Sequence, residues 1–364
     1  MISQMARRCN NLSSMTKTRF IIVGSGWRSL FYVRIAKALP QYFELCAMLC
    51  RIKEKAGRIA LDNGIHTTVS ENECIELKPD LVVVAVDKTS LAEVSMHWME
   101  MGYCVLCETP AGMDEETLGK LLEMEKKGAR LVINEQYRRY PVYSSLIRIA
   151  KSGLIGEPRC LDISVAHEYH AASLIRAFLN VKPSEEYSIR SVTKGFETTL
   201  TRTRYEVITD GRTEIRNRTF ALVEFESGKT ALYDFDSEQY RSPIRHNFLR
   251  LTGTRGEIYN NSIYWLDEDN LPHHADLVIR TRKITKDSEN PNLREYEETT
   301  EIGCNGQIVY TPPFGLCGLS DDETAMASML YETGLYAKKT GNSPYSLEEA
   351  VADARFRIRI SQNM

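Results

Sequence analysis

The sequence predicts an α/β protein: an N-terminal doubly wound parallel sheet, followed by an α+β domain on a large, mostly antiparallel open sheet. Two observations carry this prediction. Up to about residue 135, short apolar runs alternate with helix-like stretches of 10 to 15 residues, a spacing that implies parallel strands joined by crossover helices. Beyond residue 150, long β-type stretches follow one another with few helices between them, which favours antiparallel pairing.

The first strand is the apolar run Arg19–Val23, and the turn Gly24-Ser25-Gly26 separates it from a helix at Ser29–Leu39. Continuous apolar runs of this kind are typical of strands buried on both faces. The later strands are predicted at Phe43–Leu49, Leu81–Val86, Tyr103–Cys107 and Arg130–Ile133. The helices between them are predicted at Lys53–Asn63, Leu91–Met101 and Asp114–Lys127.

One helix, Val142–Ser152, precedes the β-rich half. The β-type stretches are Arg159–Val165, Ser188–Leu200, Phe220–Glu226, Lys229–Phe235 and Phe248–Thr252. The charged segment Asp267–Glu298 contains two prolines and predicts a hairpin with a mobile loop. Helices at Ser320–Thr340 and Ser346–Arg359 close the chain, and Ser346 is a suitable N-cap for the second one.

The length of 364 residues suits two or three domains. Residues 1–18 are polar and basic and predict a disordered extension. Residues 19–135 form the parallel-sheet domain, and residues 136–364 form the second domain, whose C-terminal helix is a candidate to pack back on the first.

Charge and composition exclude several classes of partner. The 46 basic and 49 acidic side chains leave a net charge of −3, which gives no general attraction to nucleic acid. No apolar run approaches the roughly 18 residues of a spanning helix, and the first 18 residues contain no signal-peptide core, so we expect no membrane partner. Nine cysteines without framework spacing favour reduced thiols and a cytoplasmic location.

The glycine turn after the first strand is the strongest motif. Gly24 permits a tight turn, and Gly26 lets backbone N–H groups approach a pyrophosphate at the start of the helix. Strand, glycine turn and helix together are typical of a dinucleotide-binding Rossmann fold. We therefore assign Gly24, Ser25, Gly26, Trp27 and Arg28 to cofactor binding. The alternative is a glycine-containing turn that binds nothing.

The choice between NAD and NADP depends on the end of the second strand. An acidic residue there would bind the ribose of NAD, but residues 48–53 contain no carboxylate. Arg51 and Lys53 are suited instead to a 2′-phosphate, which favours NADP, unless both are simply solvated charges. Val86 ends one later predicted strand, and Glu108 and Thr109 follow another; all three are assigned to the same cofactor site.

Five motifs resemble the Gfo/Idh/MocA family of glucose-fructose oxidoreductases and inositol dehydrogenases. They are Gly24–Trp27, Val105–Pro110, Ile155–Pro158, Leu251–Ile258 and Tyr345–Ala350. The resemblance implies a nicotinamide cofactor on the first domain and a sugar or polyol substrate against the open sheet of the second. It also implies hydride transfer between them and a homo-dimer or homo-tetramer.

Two departures from that family affect the proton chemistry. Thr109 stands where the family's Glu-Lys-Pro motif has its lysine, and threonine supplies neither a cation nor an efficient base. In the family's second signature His170 matches the histidine, whereas Ala166 stands where an aspartate is expected. The resemblance thus leaves His170 as the residue that accepts the proton.

His170 is also the first catalytic candidate on chemical grounds, because an imidazole with a pKa of about 6.5 can take a hydroxyl proton near neutral pH. Tyr137 is a second catalytic candidate. Arg138, His167 and Tyr169 are assigned to substrate binding. No metal is predicted: if the segment is extended, His167 points away from the face that residues 168 and 170 share.

Three functions remain open. The leading one is an NAD(P)-dependent oxidoreductase of sugars, polyols or related hydroxy compounds. The second keeps the cofactor but oxidises the sugar only transiently, so that the net reaction is an elimination or glycoside cleavage. The third is a non-catalytic protein that binds nucleotide or sugar. Thr109 and Ala166 are the features that favour the last two.

Overall fold

The computed structural model describes residues 17–286 and 294–362, which fold as two units. The parallel-sheet unit contains residues 17–136 and 313–355, and the antiparallel-sheet unit contains residues 137–312 and 356–362. The sequence assigned everything after residue 135 to one domain, so the grouping of residues 313–355 differs from that expectation. Of the predicted N-terminal extension, residues 1–16 lie outside the described chain, whereas Thr18 begins the first strand.

The first unit contains a six-stranded sheet in the order β3-β2-β1-β4-β5-β6. Every neighbouring pair is parallel, and the order is that of a doubly wound nucleotide-binding sheet. The strands are β1 Thr18–Val23, β2 Phe43–Leu49, β3 Thr67–Thr68, β4 Leu81–Val84, β5 Cys104–Cys107 and β6 Arg130–Ile133. All residues of β4 and β5 are buried, as expected for strands covered on both faces.

The helices in the described part of the chain are α1 Ser29–Ala38, α2 Lys53–Asn63, α3 Glu71–Glu76, α4 Leu91–Glu100, α5 Glu115–Lys126, α6 Pro141–Lys151, α7 Glu168–Leu179, α8 Asp321–Ala337 and α9 Leu347–Gln362. The sequence did not predict α3 and α7, and the other helices lie close to their predicted positions. Helix α8 packs with the parallel-sheet unit, because Arg34 of α1 forms an ion pair with Glu323 (2.5 Å). Arg130 adds a hydrogen bond to the Ala337 carbonyl (2.7 Å).

Some elements differ from the prediction. The sequence did not indicate β3 and α3, because both are short and polar. The strand predicted at Leu81–Val86 ends at Val84, so Val86 lies in the loop that follows it. Among the described residues, no helix has both the length and the apolar composition needed to cross a membrane.

The second unit contains a ten-stranded sheet in the order β16-β15-β14-β13-β12-β11-β7-β10-β9-β8. The strands are β7 Pro158–Ser164, β8 Tyr187–Thr199, β9 Thr213–Phe225, β10 Thr230–Asp236, β11 Phe248–Gly253, β12 Gly256–Tyr259, β13 Ser262–Leu266, β14 Pro272–Thr285, β15 Glu295–Cys304 and β16 Gln307–Tyr310. Among these strands only β7 and β10 pair in parallel. The predicted hairpin is β14 and β15, and residues 287–293 of its loop lie outside the described chain.

The two faces of this sheet differ in character. One face carries the apolar core, to which Leu161, Ile163 and Val223 contribute fully buried side chains. The opposite face, which we call the open face, holds exposed Val192 and Leu232. The alternation along each strand produces this division, because successive side chains point to opposite faces.

The predicted fold class, a parallel doubly wound sheet followed by an antiparallel α+β domain, is confirmed.

Candidate active site

The glycine turn lies where the carboxyl ends of three parallel strands meet. The Gly24 N–H donates to the Leu49 carbonyl of β2 (3.0 Å), and the Ala85 N–H donates to the Val23 carbonyl of β1 (2.9 Å). A Cβ at Gly24 would lie 2.3 Å from the Ala85 oxygen, and its φ of +123° also requires glycine. This glycine is therefore needed by the fold itself.

Gly26 has a different environment. A Cβ built at Gly26 would meet no heavy atom within 4 Å, so the space next to this backbone is open. Gly26 is exposed in the turn that leads into α1, three residues before Ser29, the first residue of the helix. An open glycine in the turn before a helix suits the close approach of an anionic group to the backbone. The residues present therefore fit a dinucleotide pyrophosphate.

The other predicted cofactor residues of this unit surround the turn. The Ser25 hydroxyl hydrogen-bonds the Cys50 thiol, and the backbone nitrogen of Val86 would lie 3.2 Å from a Cβ at Gly24. Trp27 is about one-third exposed and packs edge-on against Phe31, with ring centroids 5.0 Å apart. Arg51 is exposed in the connection between β2 and α2.

Arg28 lies in a partly buried ion-pair cluster with two carboxylates. Its Nε is 3.2 Å from Glu108 Oε2, and its Nη1 is 2.7 Å from Asp322 Oδ2 in the first turn of α8. Burial opposes a charge on this guanidinium, but Asp322 and Glu108 outweigh that effect and raise the pKa of Arg28 well above its usual value. The cation is therefore permanent and is neutralised within the unit.

The second oxygen of Glu108 has its own donors. Tyr32 donates its hydroxyl to Glu108 Oε1 (2.5 Å), and the Asn134 amide donates to the same oxygen (2.8 Å). Burial and the Glu108 carboxylate raise the pKa of Tyr32, so this phenol keeps its proton. Glu108 is thus fixed by three side chains, and the next residue, Thr109, is half-buried beside it.

The predicted substrate residues lie in the other unit, around the start of α7. His167 is the N-cap residue and Glu168 is the first residue of the helix, so His170 belongs to its first turn. The extended conformation assumed for the metal argument is therefore wrong. Among the described residues, no group of three or more His, Cys, Asp or Glu side chains is arranged to hold a metal ion.

The rings of this region form a tight cluster. The buried His170 ring lies 4.3 Å from Tyr137, 4.8 Å from His167 and 4.5 Å from Tyr169 between ring centroids. Arg138 Nε donates to the Ser173 carbonyl of α7 (3.0 Å). The structure therefore brings together all five residues that the sequence assigned to catalysis or substrate binding in this unit.

Tyr240 also belongs to this cluster, although the sequence did not indicate it. Its hydroxyl accepts the His167 backbone N–H (3.0 Å) and is hydrogen-bonded to His167 Nδ1. Tyr137 forms a further side-chain hydrogen bond with Tyr240. Tyr240 lies 73 positions after His167 in the sequence, and no motif marks that pairing.

Three residues of the Glu108 cluster were also missed. Asn134 follows β6 just as Glu108 follows β5, so the rule that strand ends converge could have found it. Tyr32 lies one helical turn after Arg28, a spacing that places both on one face of α1. Asp322 has no comparable signal, since it comes from a helix nearly 300 residues further along the chain.

Comparisons with known proteins agree with the fold. Residues 18–136 match the GFO_IDH_MocA family model, described as an oxidoreductase family with an NAD-binding Rossmann fold. The uncharacterized oxidoreductase ORF334 of Rhizobium meliloti is 26% identical over 153 residues, which span 41% of this chain and 45% of that protein. The match therefore covers less than half the length of this curated relative.

Several solved structures share the fold over almost the whole chain. An oxidoreductase of Thermotoga maritima has a TM-score of 0.64 at 18% identity, covering 96% of this chain and 97% of that one. An Agrobacterium radiobacter oxidoreductase, solved with NAD+, L-tartaric acid and magnesium, has a TM-score of 0.64 at 12% identity and 96% coverage of both chains. The myo-inositol 2-dehydrogenase of Lactobacillus plantarum has a TM-score of 0.62 at 13% identity, covering 96% and 97%.

Proposed function

We propose that the chain is an NAD(P)-dependent oxidoreductase of the Gfo/Idh/MocA family, whose model its residues 18–136 match. Its proposed substrate is a sugar, a polyol or a related hydroxy compound, and its proposed reaction is hydride transfer. The observation that carries this proposal is the open space beside Gly26 in the turn that leads into α1. Two fold neighbours, a myo-inositol dehydrogenase and a tartaric acid complex, are associated with polyhydroxy compounds and support the substrate class.

The cofactor would be held by the backbone of Gly24, Ser25 and Gly26, with Trp27 and Arg28 beside the turn. A nicotinamide cofactor supplies the hydride acceptor when the substrate alcohol is oxidised. Glu108 and Thr109 follow β5 at the same carboxyl edge of the sheet as the turn, so we assign them to the nicotinamide side. The Glu108 carboxylate is held by hydrogen bonds from Arg28, Tyr32 and Asn134. We therefore assign it a structural role beside the nicotinamide and not the role of a base.

NADP is the proposed form of the cofactor. Arg51 and Lys53 are both exposed at the end of β2, the position at which the ribose of a dinucleotide is recognised in this fold. Replacing each with alanine should raise the Kd of NADPH about tenfold and leave that of NADH unchanged. Lys55→Ala, an exposed lysine further along α2, is the matched control. Equal affinities of the parent for NADH and NADPH would refute the preference.

The proton chemistry is assigned to His170, with the substrate bound by Tyr137, Arg138, His167 and Tyr169. As hydride leaves the substrate carbon, its hydroxyl proton must go to a base. His170 is the imidazole at the centre of the ring cluster, and Tyr137 packs against it with the planes only 32° apart. Thr109 supplies no cation on the cofactor side, so His170 would act without the lysine that the family uses.

The missing lysine and aspartate also support a second candidate function. With Thr109 and Ala166 in those places, the enzyme could oxidise a sugar only transiently and release a leaving group before the hydride returns. Absorbance at 340 nm with mixed sugars and polyols separates the two reactions. Steady cofactor reduction supports the dehydrogenase, glycoside cleavage without net reduction supports the transient route, and cofactor binding with neither supports a binding protein.

The cofactor site is tested by filling the space beside Gly26. Gly26→Leu should fold normally, because no atom occupies that space, but it should raise the Kd of NADPH by at least about tenfold in calorimetry. Gly119→Leu in α5 is the matched control, since its Cβ also meets nothing within 4 Å. If neither NADH nor NADPH binds the parent protein at millimolar concentration, the proposed function is wrong.

The proposed partner is a second copy of the chain, docked on the open face of the ten-stranded sheet. This face holds a groove with a volume of about 570 Å³, and the exposed side chains of Val192 and Leu232 line it. It also carries charges of both signs, such as the Arg218–Asp234 pair (2.6 Å). A surface with apolar side chains and both signs of charge can complement itself across a twofold axis, which favours a homo-dimer.

A further inference from the structure

Arg241 is a cation of the antiparallel-sheet unit that lacks an ionic partner. It follows Tyr240, whose hydroxyl accepts the His167 backbone N–H (3.0 Å). The guanidinium is partly buried, and within the described part of the chain its side chain forms neither a hydrogen bond nor an ion pair. Charged side chains that are taken out of water are normally paired, because desolvation of a lone charge costs free energy. The burial of Arg241 is therefore not explained by a structural contact.

The backbone around Arg241 is fixed by local hydrogen bonds. The Arg241 and Ser242 N–H groups both donate to the Glu238 carbonyl, at 3.0 and 2.8 Å. These residues follow the short turn Ser237–Tyr240, in which Asp236 Oδ1 accepts from the Glu238 N–H (2.9 Å). The backbone from which the guanidinium extends is thus ordered before any ligand binds, which lowers the ordering cost of binding.

A second arginine acts on Arg241 from the loop between β8 and β9. The Thr201 hydroxyl in this loop donates to Ser242 Oγ (3.1 Å) and so ties the loop to the residue after Arg241. Arg204 belongs to the same loop. Burial and the charge of Arg204 are the two largest influences on the pKa of Arg241, and both lower it below its usual value. The protein therefore holds Arg241 in a place where its charge is unfavourable.

The other groups that act on Arg241 are a carboxylate and two phenols. The carboxylate, Glu238, is buried and already forms an ion pair with Arg216 of β9 (3.3 Å). The phenols belong to Tyr137 and Tyr240, which are both members of the ring cluster. Arg241 therefore lies near the residues assigned to catalysis and substrate binding, and an incoming anion would be its first ion-pair partner among the described groups.

We propose that Arg241 binds an anionic group of the substrate, so that the enzyme acts on a polyhydroxy compound that carries a carboxylate or a phosphate. This substrate class is a narrower form of the proposed function and rests on it. A guanidinium binds either anion through two parallel N–H donors, and such charge-assisted hydrogen bonds are stronger than neutral ones. With its anionic end on Arg241, the substrate is held in one orientation and its hydroxyl groups are left for the ring cluster.

Calorimetry tests this site without turnover. D-Glucuronate and D-glucose 6-phosphate carry the two kinds of anion on one sugar ring, and D-glucose is the neutral probe. The parent should bind at least one anionic sugar about tenfold or more tighter than glucose, and the tighter of the two identifies the anion. Arg241→Gln should abolish this difference and leave glucose binding unchanged. Arg241→Lys keeps the charge without the paired donors and should retain part of the difference.

Arg159→Gln is the matched control, because it removes an exposed arginine of β7 and should alter neither affinity. Arg241→Gln should unfold at no lower temperature than the parent, since its side chain has no hydrogen bond or ion pair to lose within the described chain. A loss of affinity then reflects the loss of the charge and not a loss of folding.

Equal binding of anionic and neutral sugars by the parent, or an unchanged affinity in Arg241→Gln, would overturn the proposal. Cofactor reduction separates it from the proposed function. If anionic sugars bind through Arg241 but none of them, and no neutral sugar, reduces the cofactor, the oxidoreductase is refuted and the anion site stands. If neutral sugars alone are oxidised, the oxidoreductase stands and the anion site is refuted.

Discussion

At the scale of single residues, Glu108 shows that the hydrogen-bond partners of a carboxylate determine its role in a site. The sequence predicted its place, because it follows a parallel strand whose end faces the ligand side of the sheet. The sequence could not predict that Arg28, Tyr32 and Asn134 all bind it. Those contacts depend on which side chains the folded backbone brings together, and local spacing does not contain that information.

Removing this carboxylate should destabilise the protein. Glu108→Ala leaves the partly buried Arg28 with a single anionic partner and the buried Tyr32 without its acceptor. We expect the free energy of unfolding to fall by about 3–5 kcal/mol in urea denaturation. Glu108→Gln keeps the shape and one acceptor and should lose less. Lys120→Ala, which breaks an exposed ion pair on α5, should cause no measurable change. A Glu108→Ala protein as stable as the parent would contradict the structural role.

The proposed base gives a second prediction at this scale. His170→Ala should lower kcat/KM at least about 100-fold, because no group is left to take the hydroxyl proton. His97→Ala, an exposed histidine on α4, serves as the control. Activity of His170→Ala within about threefold of the parent would show that another group accepts the proton.

At the scale of elements, the cap of α8 shows what the local sequence reveals about a helix boundary. Ser320 accepts from the Glu323 N–H (3.3 Å), and the Glu323 carboxylate accepts from the Ser320 N–H (3.0 Å). This reciprocal pair is visible in the sequence as serine followed three residues later by glutamate. The polar elements β3 and α3 and the first half of β9 lack any apolar periodicity. The first half of β9 forms because it pairs with β8, and this pairing is known only from the folded structure.

The cap of α8 can be compared with a serine that makes no cap hydrogen bond. Ser320→Ala should lower the free energy of unfolding by about 1 kcal/mol, because the Glu323 N–H loses its acceptor. Ser90 precedes α4 in the same way, but its side chain makes no cap hydrogen bond. Ser90→Ala should therefore change the free energy of unfolding by at most a few tenths of a kcal/mol. Equal losses in the two variants, measured by thermal unfolding, would exclude the cap as the cause.

At the scale of the whole molecule, the spacing of apolar runs predicted both sheets. Segment lengths distinguish parallel crossovers from antiparallel hairpins without knowledge of any contact. The same reasoning could not assign residues 313–355 to the parallel-sheet unit. That assignment depends on the ion pairs Arg28–Asp322 and Arg34–Glu323, which join residues about 290 positions apart.

The proposed homo-dimer is tested on the open face. Leu232→Glu should fold, because Leu232 is 47% exposed, but it should place a charge in the self-complementary surface. In light scattering we expect the parent at twice the chain mass of 41.5 kDa and the variant at the chain mass. Leu61→Glu changes a leucine that is 86% exposed on α2 and should remain a dimer. A monomeric parent, or a dimeric Leu232→Glu, would reject this surface.

Side chains alternate between the two faces along β7, so Cys160 lies on the open face, opposite to Leu161 and Ile163 in the core. Its thiol can therefore report whether this face is covered. Cys160 pairs with Thr230 and Thr252 in the sheet and is partly accessible, whereas burial in β5 raises the pKa values of Cys104 and Cys107 to about 12. A maleimide dye at neutral pH should therefore reach Cys160 well before either β5 thiol. Labelling at increasing protein concentration would then follow the covering of the sheet, since a docked second copy shields Cys160 from the reagent.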